Sequence, residues 1–125
     1  MLDYARQRAI ETLEISHRAV LVTNGPAGVQ ANEFPCEAMA LDLYLLIPQT
    51  SDHLFNLEHD AAVTLLTACC ELKGKAQIMS RGARDLDLDF SRESGAEWCV
   101  LVRVELSQMQ IRGEQGWENL ETIDL

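Results

Sequence analysis

The residues with the most chemical promise lie between Leu41 and Asp60. An apolar run, Leu41 to Ile47, is halted by Pro48, which has no N–H for a sheet ladder. Thr50-Ser51-Asp52-His53 follows. Ser51 has the chemistry of a helix N-cap, and Leu54, Phe55 and Leu57 would be that helix's apolar face. A strand would then deliver two hydroxyls and an imidazole to a helix N-terminus, where the first N–H groups lack helical partners. Such a site suits an anion. Capping and turn chemistry alone also explain Thr50 and Ser51, with no ligand. His53 stands where a cation would help, and a solvated histidine at the helix start is the plainer reading.

Lys73 and Lys75 are two apart, so a strand would place both on one face, either solvated or turned to a ligand. Gly74 between them permits a bulge or a close backbone approach. The four cysteines, Cys36, Cys69, Cys70 and Cys99, include no Cys-x-x-Cys pair. That spacing argues for buried reduced thiols rather than a zinc site. Cys36 has no base or activating cation near it in sequence, which argues against a nucleophile. Asp85, Asp87 and Asp89 alternate with Leu86, Leu88 and Phe90. The pattern fails as a calcium loop, because Phe90 holds the glycine position and Ala96 the final ligand position. No metal site is expected. His17 and His59 read as surface residues.

The elements that must position these residues can be read from periodicity. The chain's 125 residues suit one domain spanning 1–125, able to bury a core without disulfides or metal. A formal net charge of −10 argues against nucleic acid as a partner. No apolar stretch is long enough to span a bilayer, and the N-terminus lacks a signal-like apolar core, so a soluble cytoplasmic protein is expected. Asp3 to Ser16 has helical spacing, with Leu2, Ala5, Ala9, Ile10 and Leu13 on one side. Ala19 to Thr23 suits a buried strand. Asn24-Gly25-Pro26-Ala27-Gly28 is a turn, and Val29 to Glu37 the returning strand, with Pro35 marking an edge or a bulge. Further strands are expected at Leu41–Ile47, Ala61–Cys70, Glu71–Ser80 and Trp98–Ile111, with a short helix from Ser51 to His59. Residues 81–97 fit a short strand or a connecting helix equally well. Trp117 to Leu125 would be a tail or a last strand. This order gives an α+β protein whose antiparallel sheet can close into a barrel and so remove its edges.

The hairpin, Leu41-Asp-Leu-Tyr-Leu, Thr50-Ser51, Phe55-Asn56-Leu57, His59-Asp60, Val63 and Leu72-Lys73-Gly74-Lys75-Ala76 together resemble the pyridoxamine 5'-phosphate oxidase-like superfamily. The likeness runs from about residue 3 to residue 111. It implies a six-stranded antiparallel split β-barrel of Greek-key order, with an N-terminal helix and short connecting helices. It further implies an FMN-binding flavoprotein, a homodimer with flavin at the subunit interface. The ring would lie along the second strand by Asn32, Phe34, Pro35 and Cys36, and the phosphate by Thr50, Ser51 and His53. Lys73, Lys75, Arg81 or Arg103 would supply charge, and Trp117 would cover a flavin edge from the partner chain or pack on the barrel. Relatives commonly carry a cation near Asn32 and Glu33 and a lysine where this chain has His53. The resemblance therefore supports two functions. One is an oxidoreductase whose flavin carries the redox chemistry. The other is a split-barrel dimer that has lost tight FMN binding and serves as a ligand-binding or interaction module. The same cleft would also admit haem or a deazaflavin.

Overall fold

Burial alternates along the strands, and the alternation closes the sheet on itself. In β1 (Arg18–Thr23), Ala19, Leu21 and Thr23 are buried while Val20 and Val22 are half-buried on the other face. The structure, a computed structural model, describes residues 2–79, 88, 95–113 and 116–125. Arg81 and, apart from Leu88, the Asp85–Asp89 pattern thus lie outside the described residues.

The elements run α1 (Leu2–Glu14), β1, β2 (Gln30–Met39), β3 (Asp42–Pro48), α2 (Asp52–His59), β4 (Ala62–Leu66), β5 (Cys70–Ile78), a 3₁₀ turn at Ala96–Trp98, β6 (Cys99–Gly113) and β7 (Gly116–Asp124). Sheet order is β3-β2-β1-β4-β5-β6-β7, and β3 also pairs with β6. That extra pairing closes β1 to β6 into a six-stranded antiparallel barrel. Three hairpin-linked strands followed by a fourth that returns beside the first is Greek-key order. β7 is a seventh strand, laid on the far half of β6 from Gln108 to Gly113.

Two prolines and a glycine mark the joints. Pro48 ends β3, as its missing donor requires. Pro35 lies where β2 changes partner: it stands opposite Arg18 of β1, and β3 pairing starts only at Cys36. Cys36 N donates to His17 O, so the neighbouring proline nitrogen faces the other way, past the end of the β3 ladder. The expected edge or bulge is corrected: β2 is an interior strand, and Pro35 is accommodated because pairing with β3 has not begun at that residue. At Gly74 the β5–β6 register shifts, and a Cβ there would sit 2.4 Å from Glu105 O. Only glycine admits that approach.

Leu21, Leu43, Leu45, Ile47, Leu65, Leu72, Val102, Val104 and Met109 fill the barrel. At about 25 cal/mol per Å² of apolar surface removed from water, such side chains are the main stabilising term. α1 packs Ala9 and Leu13 onto this core, and Arg8 pairs with Glu121 of β7. Across the β3–β6 seam, Arg103 binds Asp42 at 3.0 Å.

The expected apolar face of α2 is corrected. His53, Asn56 and Leu57 are the buried residues; Leu54 is half-buried and Phe55 is exposed. Positions 53, 56 and 57 share one helix face by i, i+3, i+4 spacing, and hydrogen bonds make the two polar members suitable for burial.

Candidate functional site

Two concavities contain the residues of interest. A cleft of about 390 Å³ is lined by Gln30, Asn32, Glu33 and Phe34 of β2, Pro48, Thr50, Ser51, and Asp52 and His53 of α2. Ser51 caps α2 as expected, its Oγ accepting from His53 N at 3.2 Å. Ser51 N already donates to Pro48 O, and Leu54 N to Ser51 O. Much of the helix's N-terminal donor capacity is thus used internally.

His53 is a buried residue with both ring nitrogens engaged. Nδ1 lies 2.8 Å from Thr23 Oγ1 and Nε2 lies 2.9 Å from Asn32 Oδ1. The Phe34 ring meets the imidazole edge-on at 5.3 Å. Burial lowers the imidazole pKa below its ordinary 6.5, against an upward pull from Asp52. The solvated histidine expected from sequence is therefore corrected: β1 and β2 enclose the ring and favour its neutral form.

Behind His53 lies Asn56, fully buried. Its Nδ2 donates to Thr23 Oγ1 at 3.1 Å and to Gly28 O at 2.9 Å, and its Oδ1 accepts from Ala27 N at 2.9 Å. The 24–28 turn wraps this carboxamide closely. A Cβ on Gly25 would stand 2.7 Å from Asn56 Oδ1. Sequence reasoning assigned no site role to Thr23 or Asn56. The available signal was an asparagine three residues after a histidine on a short helix, a spacing that puts both on one face.

The second concavity, a groove of about 790 Å³, contains Lys73, Gly74 and Lys75 beside Val22, Thr64, Glu105 and Ser107. Lys73 and Lys75 do share one exposed face, but within one chain they line the groove, apart from the Asn32–His53 cleft. Pro35 is half-buried beside the cleft residues in sequence and is not part of the lining. Cys36 faces the core; burial pushes its thiol pKa up to about 12, with Arg18 opposing, so it is no nucleophile at neutral pH. Trp117 lies in β7, and its side chain is outside the described residues.

Solved structures place this architecture. General stress protein 26 from Bacillus anthracis str. Sterne superposes with a TM-score of 0.77 at 15% identity, over 98% of this chain and 99% of its own. A general stress protein 26-related protein of the pyridoxinephosphate oxidase family, from Clostridium acetobutylicum, matches at 0.74 and 13% identity, over 100% and 96%. The chain has the pyridoxamine 5'-phosphate oxidase-like split-barrel fold. A heme-binding protein from Mycobacterium smegmatis carries the same split barrel, at 0.69 and 14% identity, over 98% of this chain and 57% of that one. No family model and no curated protein sequence matches the chain.

Were a flavin to enter this cleft, its two halves would meet different surroundings. The Asn32 carboxamide and the edge of Phe34 suit a planar polar ring. The cleft lining holds Glu33 and Asp52 and, among the described residues, neither lysine nor arginine. Arg18 is close by but pairs with Glu33. A phosphate monoester needs charge-assisted contacts, so its cations must come from outside this cleft.

Proposed function

We propose that the chain is an FMN-binding, oxidoreductase-like protein that works as a homodimer, with flavin at the subunit interface. The observation that carries this reading is the β2–α2 cleft of a split barrel, where Asn32, Phe34 and the Thr50-Ser51 turn converge. The dimer draws support from the outer sheet face. Val20 and Val22 are only half-buried, and Ala31, Ala62 and Leu66 are exposed around them. Apolar residues on an outward strand face favour a covering partner. A second copy could also bring Lys73 and Lys75 to the phosphate, supplying the charge that the cleft lacks. Bound flavin would accept and release hydride or single electrons; the chain's residues would orient its ring and exclude water.

A second reading rests on the acidic lining and the internally satisfied start of α2: a split-barrel dimer without tight FMN binding, acting as a ligand-binding or interaction module. The absorbance spectrum of freshly purified protein, with mass spectrometry of released ligand and sedimentation, decides between them. A yellow dimer releasing FMN supports the first reading. A colourless dimer that FMN does not titrate supports the second, and a monomer overturns both. Under the second reading, Asp52→Lys should raise FMN affinity by about tenfold, by exchanging repulsion for attraction at an exposed position.

A further inference from the structure

The hydrogen bonds around His53 have only one consistent direction, and it is set by backbone. Asn56 is held by Ala27 N, which can only donate, and by Gly28 O, which can only accept. Its amide orientation is therefore fixed. Asn56 Nδ2 then donates to Thr23 Oγ1, and the Thr23 hydroxyl proton goes to His53 Nδ1. With Nδ1 accepting, neutral His53 carries its proton on Nε2. That proton needs an acceptor, which is Asn32 Oδ1 at 2.9 Å. The reverse arrangement, with the proton on Nδ1, would leave the Thr23 hydroxyl hydrogen without an acceptor at a residue that is 1% exposed.

We infer that Asn32 selects the ligand of this cleft: its oxygen is taken by His53, its NH₂ group faces outward as a donor, and the cleft takes the acceptor edge of a planar heterocycle, a ring carbonyl or unprotonated ring nitrogen. The ligand class rests on the flavin reading above; the orientation of Asn32 does not. Asn32 is exposed and lines the cleft, so its donor is accessible. Thr23, His53 and Asn56 are positioning residues. They act by fixing which end of the Asn32 amide turns outward.

Two measurements test this. In ligand-free wild-type protein at pH 7.5, ¹⁵N correlation spectra of labelled histidine should show His53 neutral with its proton on Nε2. Thr23→Val takes the donor from Nδ1 while Nε2–H keeps Asn32 Oδ1, so the proton should stay on Nε2 and the Nδ1 resonance should move toward that of an unbonded ring nitrogen, with circular dichroism checking that the fold persists. A wild-type proton on Nδ1, or an imidazolium, overturns the orientation whether or not flavin binds. In the second measurement, FMN and riboflavin are titrated separately. Asn32→Asp keeps the acceptor for His53 but loses the outward donor, so both ligands should bind about tenfold or more weakly, by similar factors. An unchanged affinity overturns the selection role. A loss for FMN alone does so too, because it would report repulsion of the phosphate. If neither flavin binds wild-type protein, the flavin reading and the ligand class fall together, while the tautomer still decides how Asn32 points.

Discussion

The cleft and the groove lie on one barrel and are built in opposite ways. At the cleft, the buried polar groups Asn56, Thr23 and His53 are joined by hydrogen bonds in a chain that ends at the exposed Asn32. In the groove, the charged groups Lys73, Lys75 and Glu105 are exposed, and the constraint lies in the backbone, where Gly74 meets Glu105. A buried polar group that loses its partner costs far more than an exposed charge that loses its own. Side-chain identity should therefore govern stability at the cleft, and main-chain geometry at the groove.

The largest effect is expected from Asn56→Ala. It removes three hydrogen bonds and takes the side-chain partner from Ala27 N and Gly28 O of the turn, so urea denaturation should show a loss of about 3 kcal/mol. Gly74→Ala comes next. A methyl cannot fit 2.4 Å from Glu105 O without moving backbone, and about 2 kcal/mol should be lost. If Gly74→Ala proves neutral, the contrast fails on the groove side.

A smaller effect should appear in the pH dependence. Burial lowers the His53 pKa below 6.5, so just below that pH the unfolded chain binds more protons than the folded one. The neutral-His53 contribution is thus complete above pH 6.5 and is lost as pH falls through the lowered folded-state value. Melting curves of His53→Gln should lack this part of the slope. The smallest effect belongs to Lys73→Ala with Lys75→Ala, within about 0.5 kcal/mol in the same denaturation assay. If FMN binds as proposed, that pair should still weaken FMN more than riboflavin, which separates their ligand role from stability.

Much of the architecture was legible because local rules and tertiary needs agree. Pro48 had to end β3, Pro35 had to sit where a ladder stops, Ser51 had to cap, and Gly74 had to allow a close approach. Every one of these is a backbone constraint, visible in residue type alone. The candidate site was less legible. Phe55 was expected inside and His53 outside, because hydropathy ranks side chains one at a time. Burial of His53 and Asn56 depends on partners 21 to 33 residues away, Thr23, Asn32 and the 24–28 turn, and one-dimensional spacing does not encode those meetings. Lys73 and Lys75 were correctly placed on one face. Which concavity that face borders depends on how the barrel closes.

β6 has the last consequence. Its 15 residues are shared in turn by β3, β5 and β7, with Val102 to Glu105 bridged on both sides. Peeling any one neighbour away leaves this segment still held by another. Amide protons there should be among the last to exchange with deuterium, surviving openings that release the outer strands singly.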